Sequence, residues 1–150
     1  MGTAFNIYFP ISNLPVETVS LVSSTLQQGN ERILIVDDEQ MIIDISTNML
    51  EKLDYNVTSY SDCEEALKYF TDHPDDFDLV ITDYGMSGMN GKEFAKKLKE
   101  VRPDIPIMLF TGYGDLIAKE NIEQWGMEDL LMKPFAFKEI SEMVRRILNK

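Results

Sequence analysis

From Arg32 to its end the chain alternates two hydrophobic rhythms. Short unbroken apolar runs suit strands buried on both faces, and longer stretches with apolar positions every three or four residues suit helices that bury one side. Ile33-Leu34-Ile35-Val36 is the first run. Residues 39–53 then place Met41, Ile42, Ile45, Met49 and Leu53 at helical spacing, as an inward stripe. Asn56 to Tyr60 reads as a weaker second strand. Ser61-Asp62-Cys63-Glu64 has the spacing of a capping box, so a helix is predicted to open there, with Ala66, Leu67 and Phe70 inward and a stop before Pro74. Phe77 to Thr82 is a third strand, followed by a glycine-rich loop from Gly85 to Gly91. Lys92 to Val101 predicts a helix with Phe94, Ala95 and Leu98 inward. Ile105 to Phe110 is a fourth strand, residues 115–124 a short helix stopped at Gly126, Leu130 to Met132 a short fifth strand, and Phe135 to Leu148 the last helix.

Five strands, each followed by a helix, predict an α/β fold: an open, doubly wound parallel sheet with helices on both faces. The first thirty residues are different material. Their only charged side chain is Glu17, and a short alternating stretch from Phe5 to Phe9 is closed by Pro10. Residues 1–30 therefore read as an N-terminal segment or linker, and residues 31–150 as the folded domain.

Composition narrows the function. With 14 Lys+Arg against 26 Asp+Glu, the net charge of −12 argues against broad contact with nucleic-acid phosphates or anionic lipid. No apolar run approaches the ~20 residues of a membrane-spanning helix, and no secretory signal is visible. One cysteine, Cys63, and one histidine, His73, exclude an intrachain disulfide, a cysteine-based zinc cage and a histidine-rich metal site. A soluble cytoplasmic protein is expected.

The chemistry lies where the strands end, because sites in open parallel sheets form outside the carboxyl ends of the strands. After the first strand come Asp37, Asp38 and Glu39; after the third, Asp83; after the fourth, Thr111 and Gly112; after the fifth, Lys133 and Pro134. Taken singly, an Asp here is a turn former, a Thr a β-former and a Lys a solvated surface group. Four strands delivering acids, one hydroxyl and one ammonium to a single sheet edge make a joint signal. Two carboxylates ~4 Å apart repel by about 4 kcal/mol at an effective dielectric near 20, and a divalent cation relieves that repulsion. A few carboxylates, a carbonyl and retained waters suit Mg²⁺ better than Ca²⁺. A metal in turn favours a phosphoryl group, which one carboxylate can accept as an aspartyl-phosphate. Asp83, alone at the end of a central strand, is the candidate nucleophile. Asp37 and Asp38 are placed for the metal, and Thr111 and Lys133 for phosphoryl oxygens.

These residues carry a family resemblance. Ile33 to Glu39, Asp83 to Gly91 (Asp-Tyr-Gly-Met-Ser-Gly-Met-Asn-Gly), Phe110-Thr111-Gly112 and Lys133-Pro134-Phe135 together resemble the receiver domain of two-component response regulators. The resemblance implies a flavodoxin-like fold with strand order 2-1-3-4-5. It implies that Asp83 accepts a phosphoryl group from phosphohistidine on a histidine kinase or phosphotransfer protein. By the same likeness Asp38, Asp83 and the Gly85 carbonyl would bind Mg²⁺ directly and Asp37 through water. Thr111 and Lys133 would hold the phosphoryl oxygens, the Lys133–Pro134 peptide would be cis, and the module would slowly hydrolyse its own phosphate. The helix at 115–124 and the fifth strand would form the partner face. Two positions depart from the pattern: Ser87 stands where the family usually has Pro, which predicts a less rigid loop, and Leu130 stands where it usually has a Tyr or Phe that switches on activation.

The first residues add a second likeness. Gly2-Thr3-Ala4-Phe5-Asn6-Ile7-Tyr8-Phe9-Pro10 resembles the closing strand of the ATP-binding domain of sensor histidine kinases. A kinase strand, a linker and a receiver, with Lys150 directly after the last helix, imply the C-terminal receiver of a hybrid sensor histidine kinase, without a DNA-binding domain. The competing reading is a binding-only receiver that signals without phosphorylation. An Asp-nucleophile phosphatase is disfavoured because Gly85 occupies the place of its second acid.

Overall fold

The computed structural model describes residues 28–112 and 119–149. Five strands, β1 (Arg32–Val36), β2 (Asn56–Tyr60), β3 (Leu79–Asp83), β4 (Ile107–Thr111) and β5 (Asp129–Met132), form one parallel sheet in the order β2-β1-β3-β4-β5. Between and after them run α1 (Gln40–Glu51), α2 (Cys63–Asp72), α3 (Gly91–Val101), α4 (Lys119–Gln124) and α5 (Phe137–Leu148). The motif at Gly2–Pro10 and the first residues of the helix expected at 115–124 lie outside the described residues.

The unbroken apolar runs become two cores by simple alternation, since successive side chains of a strand point to opposite faces. Leu34, Val36, Val80, Ile107 and Leu109 face a core shared with Ala66, Phe70, Phe94, Leu98 and Ile122 of α2, α3 and α4. Ile33, Ile35, Leu79, Ile81, Met108 and Phe110 face the opposite core, with Leu50, Ile140, Val144 and Ile147 of α1 and α5. Fully burying each Ile or Leu contributes roughly 1.5–3 kcal/mol. β1, β3 and β4, inside the sheet, are therefore anchored on both faces, whereas the edge strand β2 is largely exposed. The ends of the three central strands are rigid platforms for the polar residues attached to them.

Local differences from the sequence reading have physical causes. The inward face of α1 is Ile43, Ser46 and Leu50, whereas Met41 is 71% and Ile45 43% exposed. A serine lies on the buried face because its hydroxyl donates to the Ile42 carbonyl at 2.6 Å, which removes the usual cost of burying it and hides the true stripe. Leu53 is buried as predicted. The cap of α2 is Asp62 rather than Ser61: its carboxylate accepts from the Glu64 and Glu65 amides. The third and fourth strands begin two residues later than predicted, at Leu79 and Ile107, and each extends one residue further, through Asp83 and Thr111. The last helix begins at Phe137, with the Glu139 carboxylate accepting from the Ala136 amide. Gly126 ends α4 in the left-handed region, φ 73°, where a glycine is unstrained.

Candidate functional site

β1 and β3 are neighbours in the sheet, so their last residues open on the same edge. Asp37, Asp38 and Asp83 each present a carboxylate oxygen, and these atoms all lie within 4.8 Å of one another. Lys133, delivered by the turn after β5, reaches between them: its Nζ lies 2.6 Å from Asp37 Oδ2, 2.7 Å from Asp83 Oδ1 and 3.6 Å from Glu39 Oε1. The Lys133–Pro134 peptide is cis, as the resemblance implies. Thr111 joins the same edge by register. Asp83 pairs with Phe110 across β3 and β4, Thr111 is the next residue, and the Lys133 amide donates to the Thr111 carbonyl at 2.8 Å. The acids, hydroxyl and ammonium read from the strand ends thus share one rim.

Each acid is held differently. Asp37 is fully buried; its Oδ1 accepts from the Glu39 amide at 2.9 Å and its Oδ2 from Lys133. Burial pushes its carboxyl above the ordinary carboxylate value, and Lys133 and the Glu39 amide pull it back only in part. For Lys133, burial acts to lower the ammonium, but the hydrogen bonds to Asp37 and Asp83 outweigh it and hold the group above its ordinary value, so it stays charged. Asp83 accepts from Lys133 on Oδ1 and from the Gly85 amide, at 2.6 Å, on Oδ2. Asp38 is exposed, and its carboxyl is held below the usual value by the Ser87 side chain and amide.

The loop after Asp83 is fixed by close packing. A Cβ on Gly91 would lie 2.3 Å from the Asp83 carbonyl oxygen, so only glycine lets α3 begin there. Its amide donates to the Tyr84 carbonyl at 2.9 Å. Met86 and Met89 are buried, at 8% and 7% exposure, on either side of Ser87.

A family model described as the response regulator receiver domain matches residues 33–145. The chain belongs to this family. The chain is 34% identical over 122 residues to the alkaline phosphatase synthesis transcriptional regulatory protein PhoP of Bacillus subtilis, covering 81% of this chain and 50% of that protein. It is 35% identical over 129 residues to a probable transcriptional regulator, ycf27, of Cyanidium caldarium, covering 86% of this chain and 51% of that protein. The chain thus spans about half the length of these relatives. Among solved structures, a response regulator receiver domain protein from Clostridium thermocellum superposes with a TM-score of 0.75 at 28% identity, covering 79% of this chain and 94% of that one. The fold and strand order of this receiver domain are those the sequence implied.

Two residues named in the sequence analysis, but given no role in the site there, take part in it. Glu39 donates its amide to Asp37 and brings its carboxylate towards Lys133. Ser87 donates twice to Asp38. The only sequence signal for Ser87 is its departure from the family pattern. Leu130, at the usual aromatic position, is half-buried against the same core as Tyr84 and Trp125, whose rings stack 5.9 Å apart.

Proposed function

We propose that this receiver domain is a phosphoacceptor in which Asp83 takes a phosphoryl group from phosphohistidine on a histidine kinase or phosphotransfer protein. The observation that carries the reading is the convergence of Asp37, Asp38 and Asp83 oxygens within 4.8 Å of one another, with the Lys133 ammonium bonded to Asp37 and Asp83. An Asp83 oxygen would form the new bond to phosphorus as the phosphorus–nitrogen bond breaks and its electron pair returns to the donor's imidazole. Lys133 already bonds Asp83 and is placed to follow the charge onto a phosphoryl oxygen, as a mobile point charge. Thr111 would donate its hydroxyl to another. The all-oxygen, three-carboxylate set fits a hard divalent cation, so Asp38, Asp83 and the Gly85 carbonyl would hold Mg²⁺, with Asp37 acting through water. When bound, the ion neutralises charge gathering on the phosphoryl oxygens.

The test is incubation with Mg²⁺ and a small phosphodonor, read by intact mass. An acid-labile adduct of one phosphoryl group, absent from Asp83→Asn, is the expected result. An unmodified wild type under saturating donor favours the binding-only receiver instead.

We also propose a cytoplasmic module whose acidic surface makes no nucleic-acid contact of its own; no helix among the described residues is long and apolar enough to cross a membrane. For the parent protein, the kinase-like motif at Gly2–Pro10 supports a hybrid sensor histidine kinase. The relatives' names, as transcriptional regulators, favour a DNA-binding output instead. The coding sequence around this segment decides between them: kinase motifs upstream of Met1 support the first, and a DNA-binding domain downstream the second.

A further inference from the structure

Asp38 is the one acid of the cluster that Lys133 does not reach with a hydrogen bond, and it lies in solvent. An exposed aspartate without support would sample several rotamers, and a cation would have to immobilise it on binding. Here it has support from a single residue. The Ser87 amide donates to Asp38 Oδ2 at 2.9 Å and the Ser87 hydroxyl to the same oxygen at 2.8 Å. Two donors fill the two lone-pair sites of that oxygen. Oδ1 is then the atom left for a cation.

Ser87 is itself held from the core side. Its carbonyl accepts from the buried Cys63 thiol, 3.6 Å away at the start of α2. Met86 and Met89, on either side, are buried, and Thr82 donates its hydroxyl to the Met86 sulfur at 3.7 Å. A chain of contacts therefore runs from the interior through the backbone of residue 87 to an exposed carboxylate. A proline at this position would lack both donors.

We propose that Ser87 is a positioning residue for magnesium: its paired donors fix the Asp38 carboxylate by Oδ2 and leave Oδ1 for the cation. The inference rests on the magnesium reading of the site, not on phosphoryl transfer. Its readout is therefore Mg²⁺ affinity of the unphosphorylated protein, by calorimetric titration of wild type, Ser87→Ala and Ser87→Thr, with urea stability in chelator as a control. Ser87 is exposed, so the alanine variant is expected to fold with wild-type stability. Its Mg²⁺ dissociation constant should rise about fivefold, less than the roughly 10–100-fold typical of lost outer-shell partners, because the Ser87 amide remains. Ser87→Thr keeps both donors and should bind within about twofold of wild type, by the same outer-shell logic. Equal affinity in Ser87→Ala and wild type overturns the positioning role alone. So does a threonine variant as weak as the alanine one. A wild type that takes up no Mg²⁺ overturns the magnesium reading and this inference together, while an absent phosphoryl adduct leaves the titration series intact.

Discussion

The two ends of the sheet handle charge in opposite ways. At the amino-terminal edge, each of the chain's four arginines has an acidic partner: Arg32 with Asp78, Arg102 with Asp104, Arg145 with Glu31, and Arg146 with Asp129. Arg32 and Asp78 form a two-pronged pair at 3.1 and 2.9 Å, and the Arg32 amide donates to the same carboxylate at 2.8 Å. Arg102 also donates to the Pro74 and Phe77 carbonyls at 3.1 and 2.7 Å. At the carboxyl-terminal edge, three acids cluster around one lysine that bonds only two of them, Asp37 and Asp83. A guanidinium fork fixes geometry, whereas an ammonium is a point charge that can change partners. One edge gives every guanidinium a carboxylate partner and serves stability. The other keeps an excess of negative charge that folding alone does not favour, and that excess suits it to a metal and a phosphoryl group.

The largest effect should come from removing the lysine. Lys133→Met leaves Asp37 buried without its cation, and breaking such a pair costs about 3 kcal/mol. Urea unfolding at neutral pH in chelator should show this loss. The deficit should shrink as pH falls through the raised Asp37 value, because the protonated acid no longer needs a partner. A loss under about 1 kcal/mol, the level of an exposed pair, would erase the contrast between the edges.

Magnesium should act on one edge only. At a concentration ten times its dissociation constant the ion should add about 1.4 kcal/mol of stability, lost again with chelator. Asp38→Ala should abolish the gain, and Glu31→Gln should leave it unchanged. Equal gains in all three proteins would place the ion elsewhere.

Changes at the amino-terminal edge should be smaller. Glu31→Gln should cost about 1 kcal/mol at neutral pH, the upper range for a partly exposed pair. The Arg145 hydrogen bond lowers the Glu31 value on folding. Its contribution is therefore complete above the ordinary carboxylate range and disappears as pH falls through the depressed value. Wild type and variant should converge in acid, and a gap that persists there would show that lost packing, not charge, separates them.

The smallest expected signal is optical. Trp125 is the only tryptophan and stacks on Tyr84, the residue after Asp83, with Lys92 Nζ 5.2 Å from its ring. Loading Asp83 with phosphate should shift Trp125 emission slightly, and Tyr84→Ala should remove that shift. Unchanged emission in a fully phosphorylated wild type would disconnect Trp125 from the site.

The acidic edge is readable from sequence because a parallel strand announces its carboxyl end as the first polar residue after an apolar run. Asp37, Asp83, Thr111 and Lys133 all stand at or next to such positions. The inward face of α1 is not readable in this way, since Ser46 interrupts the stripe and its satisfaction by the Ile42 carbonyl is invisible until the helix exists. Ser87 stands out in the sequence only as a departure from the family pattern. That departure points to added looseness, whereas the folded loop uses the serine to hold Asp38.

Local patterning, carried by run length and period, determined the order of elements, the parallel sheet and the set of residues at its rim. Those features depend on neighbours a few positions apart. Tertiary structure decided which oxygen meets which donor. Lys133 joins Asp37 across 96 positions, and Ser87 meets Asp38 across 49. Contacts at such separations depend on how crossovers and packed helices orient each strand end, and no short stretch of residues encodes that orientation by itself.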